Sequence, residues 1–138
     1  MTTENKKIYI VDDDRITIFG VRKILSRVVN EDTIESFENG KLALDQILIQ
    51  LENKADIPDV IFLDINMPVM DGWQFLEAFN KLKIEKRVKV KIITSSIDPL
   101  DYERWLYYQK KSSHSIDFWN KPIHEISLED ISFIGKAS

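Results

Sequence analysis

The chain has 138 residues, 43% hydrophobic and 30% charged, which suits one folded domain and excludes a disordered protein. Its net charge of −4, from 19 basic and 23 acidic residues, leaves no footprint for nucleic acid, and the lack of cysteine excludes disulfides and thiol chemistry. No apolar run approaches the roughly 18 residues that span a bilayer, and the first residues lack the apolar core of a signal peptide, so a cytoplasmic protein with no membrane partner is expected.

Ile8, Tyr9, Ile10 and Val11 form a short apolar run without alternation, which predicts a strand buried on both faces. Asp12, Asp13 and Asp14 end it. Ile18, Val21, Leu25 and Val28 then recur at helical spacing, with Asp14 placed to cap the helix. Residues 33–37 read as a second strand. Leu44, Leu48 and Leu51 mark a second helix after the Asn39-Gly40 turn. Val60, Ile61, Phe62 and Leu63 make the most apolar strand, ended by Asp64. A loop through Met67-Pro68 and Asp71-Gly72 leads to a helix with Phe75, Phe79 and Leu82 on one side. Trp73, at its start, reads as packing. Residues 88–93 form a fourth strand running into Thr94-Ser95-Ser96. Asp98 and Pro99 then supply a cap and a first helical residue. A fifth strand covers 116–119, before Lys121-Pro122. Leu128, Ile131 and Ile134 are the stripe of a short last helix.

Five β–α repeats with apolar strands predict an α/β fold, a doubly wound parallel sheet of five strands with helices on both faces. The densest basic stretch, 81–91, alternates with apolar residues and reads as a solvent face. His114 lies in a polar stretch, Ser112-Ser113-His114-Ser115, and reads as solvated. Neither it nor His124 has a second ligand nearby that would make a metal site.

In such a sheet, ligands bind beyond the carboxyl ends of the strands. That edge collects Asp12 and Asp13 from the first strand, Asp64 from the third, Thr94 from the fourth and Lys121 after the fifth. Two like charges 4 Å apart repel by roughly 4 kcal/mol at an effective dielectric near 20. Protons or a cation must offset that. Ligands that are all oxygen suit Mg²⁺, with Mn²⁺ as the alternative, rather than zinc, and Mg²⁺ commonly shares its site with phosphate. Taken alone, the Asp12-Asp13 pair reads equally well as a loop with a helix cap.

Four segments together resemble the receiver domain of two-component response regulators. They are Ile10-Val11-Asp12-Asp13-Asp14, the run from Leu63-Asp64-Ile65-Asn66-Met67-Pro68 to Asp71-Gly72, Ile92-Ile93-Thr94-Ser95-Ser96, and Asn120-Lys121-Pro122. The resemblance extends from about residue 7 to residue 134. It implies a flavodoxin-like sheet in the order 2-1-3-4-5. It further implies that Asp64 accepts a phosphoryl group from the phosphohistidine of a sensor histidine kinase or a histidine phosphotransfer protein. By the same resemblance Asp13 is the direct metal ligand and Asp12 acts through water. The Asn66 carbonyl is another ligand, and Thr94 and Lys121 bond the phosphoryl oxygens.

Those roles make chemical sense, because carboxylates can act as nucleophiles and phosphoryl transfer depends on positioning and charge neutralisation. No residue offers a strong general base for water, so the phosphorylated form is expected to persist. The chain would act as a switch, catalysing only its own phosphorylation and dephosphorylation. The resemblance assigns the response to the fourth helix, fifth strand and fifth helix. There Phe118 reads either as the aromatic switch position or as core. Tyr102, Trp105, Leu106, Tyr107 and Tyr108 crowd one helix, more aromatics than a buried stripe needs, which reads either as packing against the fifth strand and the neighbouring helix or as an exposed face for a downstream partner or a homodimer contact. With no room for an output domain, docking or onward phosphotransfer is the expected output. The interval from Thr94 to Lys121 is longer than in common receivers and implies a longer loop at 112–115. Two other readings are an interaction module that is never phosphorylated and an aspartyl-phosphate phosphohydrolase. The latter wants an acid where Asn66 stands.

Overall fold

The computed structural model describes residues 6–132. Five strands form one wholly parallel sheet: β1 (Ile8–Val11), β2 (Ile34–Phe37), β3 (Val60–Asp64), β4 (Lys89–Thr94) and β5 (Ser115–Asn120). Their order is β2-β1-β3-β4-β5, the doubly wound arrangement expected. Four helices connect them: α1 (Arg15–Leu25), α2 (Gly40–Glu52), α3 (Gly72–Asn80) and α4 (Pro99–Lys111).

Every residue of β1, β3 and β4 is buried, which explains why those segments do not alternate. Successive side chains feed two cores. Tyr9, Val11, Ile61 and Leu63 pack with Ala43 and Ile47 of α2 and with Phe75, Leu76 and Phe79 of α3. Ile8, Ile10, Val60 and Phe62 pack with Val21 and Leu25 of α1 and with Ile126 and Ile131. Each fully buried Val, Leu, Ile or Phe among them contributes about 1.5–3 kcal/mol by leaving water.

The helix starts follow local chemistry. The side chains of Asp14, Asn39, Asp71 and Asp98 each accept a backbone N–H of the first turn, and Pro99 occupies the first turn of α4. Asp71 and Gln74 form a reciprocal capping box. Among the described residues, no helix is long and apolar enough to cross a membrane.

Five expectations need correction. The α2 stripe runs through Ala43, Leu44, Ile47 and Gln50, while Leu48 is exposed. Gln50 turns inward because its side chain accepts the buried Tyr9 hydroxyl at 2.9 Å. Lys89 and Lys91 are not on a solvent face, because β4 is covered on both sides. Lys91 is compensated by Asp117 at 2.5 Å and by the Trp119 ring, 5.0 Å away. The expected long loop at 112–115 is short, because α4 itself runs to Lys111 and β5 begins at Ser115. His114 is buried against Phe79, with Nδ1 accepting the Val88 N–H at 3.0 Å. Instead of a last helix, a 3-10 turn spans Leu128–Ile131, and Ile134 lies outside the described residues.

Candidate functional site

Because the strands are parallel, their carboxyl ends share one edge. Asp12 follows β1, and its N–H donates to the Phe37 carbonyl at 3.0 Å, extending the β1–β2 pairing by one step. Its side chain is fully buried. Oδ1 accepts the Asp14 N–H at 2.8 Å. Oδ2 stands 3.0 Å from Lys121 Nζ, an ion pair without the angles of a hydrogen bond. Asp13, one residue on, is exposed.

Asp64 is the last residue of β3. Its Oδ1 accepts the Ile65 N–H at 2.9 Å and lies 3.5 Å from Lys121 Nζ. Gly72 fixes the backbone here. A Cβ at that position would stand 2.4 Å from the Asp64 carbonyl oxygen, so only glycine allows α3 to start this close. Its N–H donates to the Ile65 carbonyl at 2.8 Å. Lys121 is tied down in turn, because its own N–H donates to the Thr94 carbonyl at 2.8 Å. The Lys121–Pro122 bond is cis.

One carboxylate oxygen from each of Asp12, Asp13 and Asp64 falls within 4.8 Å of the others. Burial first, and then the Asp12 charge, push the Asp64 carboxyl up to about 6, against the pull of Lys121. Burial also raises the Asp12 pKa, against the Asp14 N–H and Lys121. Burial works against the Lys121 ammonium, but the two carboxylates outweigh it and raise its pKa. A donor set made only of carboxylate oxygen, with the buried Asp12 Oδ2 held by the Lys121 ion pair alone, fits a hard divalent cation.

Of the six expected site residues, the structure brings Asp12, Asp13, Asp64 and Lys121 into one cluster. Thr94 ends β4 at the same edge, fully buried, and its hydroxyl oxygen accepts the Ser96 N–H at 2.9 Å. Asn66 is exposed in the loop between β3 and α3. Phe118 of β5 is partly buried against Tyr102 and Trp105 of α4. His124 is exposed.

Sequence reasoning missed Asp101. An acid in the first turn of α4 reads as a complement to the helix dipole. In the fold it is buried and accepts the Trp73 indole N–H at 3.0 Å and the Ser96 hydroxyl at 2.5 Å. No local sequence signal distinguishes those two roles.

Residues 8–131 match the response regulator receiver domain. The chain is 31% identical over 127 residues to protein-glutamate methylesterase/protein-glutamine glutaminase 1 of Geobacter metallireducens, across 92% of this chain and 32% of that protein. It is 34% identical over 94 residues to sporulation initiation phosphotransferase F of Bacillus subtilis, across 66% of this chain and 65% of that one. A crystal structure of a two component response regulator from Cytophaga hutchinsonii matches with a TM-score of 0.74 at 25% identity, over 93% of this chain and 94% of the other. The chain thus spans about a third of the length of the methylesterase relative.

Proposed function

The chain belongs to the response regulator receiver domain family, and from that membership we propose that it is a switch in which Asp64 accepts the phosphoryl group. Receiver domains act in phosphorylation-dependent signalling, and their chemistry is limited to their own phosphorylation and dephosphorylation. The observation that carries the assignment is the cluster itself: a buried carboxylate at a strand end, two more acids within reach, and one ammonium shared between Asp12 and Asp64.

In the proposed step an Asp64 oxygen attacks the phosphorus of a phosphohistidine. The new P–O bond replaces the P–N bond, and the imidazole nitrogen keeps the electron pair. Lys121 neutralises charge on the phosphoryl oxygens, and the Thr94 hydroxyl donates to another of them. Asp12, Asp13, Asp64 and the Asn66 carbonyl would hold Mg²⁺. When bound, it would offset the charge of the carboxylates and of the incoming phosphoryl group.

The donor is a sensor histidine kinase or a histidine phosphotransfer protein, and the relative named as a phosphotransferase supports that choice. The signal leaves through the α4–β5 surface. Ile97, Leu100, Tyr102 and Tyr107 are exposed there for a downstream protein or a second copy.

Intact-mass measurement after incubation with Mg²⁺ and acetyl phosphate tests the reading. A persistent phosphoryl adduct is expected in the unmodified protein and none in Asp64→Asn. An adduct of equal yield in Asp64→Asn would remove Asp64 as the acceptor.

A further inference from the structure

α4 is an unusually exposed helix whose one buried residue is an acid, Asp101. Burying a carboxylate is costly unless it is hydrogen-bonded, so its partners define what holds this turn in place. Trp73 Nε1 donates to Oδ1 at 3.0 Å, and Ser96 Oγ donates to Oδ2 at 2.5 Å. The nearest cation, Arg104, stands 3.7 Å from Oδ1 and is exposed. The two neutral donors come from two different parts of the molecule.

Those parts differ in what anchors them. Trp73 directly follows Gly72, whose close approach to the Asp64 backbone ties the start of α3 to the acceptor strand. Ser96 belongs to the short segment between β4 and α4. Its N–H donates to Thr94 Oγ1 at 2.9 Å, and its hydroxyl also accepts the Asp98 N–H at 3.1 Å. A continuous hydrogen-bonded path therefore runs from the Thr94 hydroxyl through Ser96 to Asp101 and on to Trp73.

The far end of α4 has further contacts of its own. The Tyr108 ring stacks on Trp73 at 5.7 Å, its hydroxyl donates to Glu77 at 2.9 Å, and Ser112 Oγ donates to Asn80 at 2.7 Å. The Tyr108–Glu77 and Ser112–Asn80 bonds involve neither Asp101, Trp73 nor Ser96, so they serve as a pivot when the first turn is released.

We propose that Asp101 is the centre of a clamp that pins the first turn of α4 to Trp73 and Ser96, and that a phosphoryl group on Asp64 opens it by recruiting the Thr94 hydroxyl away from Ser96. The inference rests on Asp64 being the acceptor. Asp101 is a positioning residue, since it touches none of the reacting atoms. Opening the clamp swings the first turn, with the exposed Ile97 and Leu100, about the fixed Tyr108 end. The clamp thereby stabilises the unphosphorylated arrangement, and removing it favours the other.

The Trp73 indole N–H reports the clamp directly by ¹H–¹⁵N NMR, assigned with Trp73→Phe. Adduct formation is read by intact mass on the same sample. With Mg²⁺ and acetyl phosphate, the expected result is an adduct together with an upfield shift of the Trp73 indole resonance. In Asp101→Asn the resonance should already be displaced without the donor, and adduct formation should be about tenfold faster. Ser96→Ala keeps the Trp73–Asp101 bond and cuts the path, so there the adduct should form without moving the resonance; this variant carries the test if Asp101→Asn does not fold. An adduct with an unmoved indole in the unmodified protein, or the full shift in Ser96→Ala, would overturn the clamp alone. Failure to form any adduct would overturn the acceptor reading and the clamp with it.

Discussion

α3 and α4 lie on the same side of the sheet but are held by different physics. α3 buries Gly72, Trp73, Phe75, Leu76 and Phe79 over nine residues. α4, with thirteen residues, buries only Asp101 and relies on polar contacts and on partly exposed aromatic rings. Hydrophobic burial is non-directional and is lost only by unfolding or cavity formation. Hydrogen bonds are directional and can be exchanged for others at small net cost. The helix that starts beside Asp64 is therefore the more firmly held of the two, and the one beside the Thr94 loop takes less free energy to displace.

Substitutions on the two helices should show this contrast in size. Phe79→Ala should cost about 3–5 kcal/mol in urea unfolding, because a closely packed ring leaves a cavity. A loss under 1 kcal/mol would remove the claim that α3 is the rigid element. Tyr102→Ala, on the exposed side of α4, should cost about 1 kcal/mol or less.

The strand-end cluster behaves differently from both helices. Its carboxylates repel, so Asp64→Asn should raise stability at neutral pH by about 1–3 kcal/mol when no divalent cation is present. Mg²⁺ should raise the melting temperature of the unmodified protein and do so less for Asp64→Asn. Equal melting temperatures for the two proteins with and without Mg²⁺ would contradict the site.

His114 joins the end of α4 to the rigid core, and burial followed by the Arg87 charge lowers its pKa from 6.5. The folded state therefore holds this proton less tightly than the unfolded chain. The stability contribution is fully present above pH 6.5 and is lost as pH falls through the folded pKa. His114→Asn should flatten that acid-side slope in urea titrations at a series of pH values. The smallest effect belongs to the Arg15–Glu38 pair, whose side chains are 86% and 62% exposed. Arg15→Ala should change stability by no more than about 0.5 kcal/mol.

Strand positions and the helix caps at Asp14 and Asp98 were legible because each is a local property. Four successive apolar residues before an acid mark a buried strand end, and Asp98 before Pro99 marks a helix start. The same rule placed Asp12, Asp64, Thr94 and Lys121 together, since parallel strands must end at one edge. Lys91 was misread because its partners, Asp117 and Trp119, lie on another strand. His114 was misread for a similar reason, since Val88 and Phe79 bury it from a distance in sequence.

By itself the sequence determined the five strands and the four helices between them, the caps at Asp14 and Asp98 and the acids that reach one edge, because periodicity, local capping chemistry and topology suffice for those. Only the tertiary structure decided that Asp101 would leave water to bridge Trp73 and Ser96, and that Lys91 and His114 would be buried. Whether a polar side chain can be buried depends on which groups other elements bring within hydrogen-bonding distance, and its neighbours in the chain do not specify them.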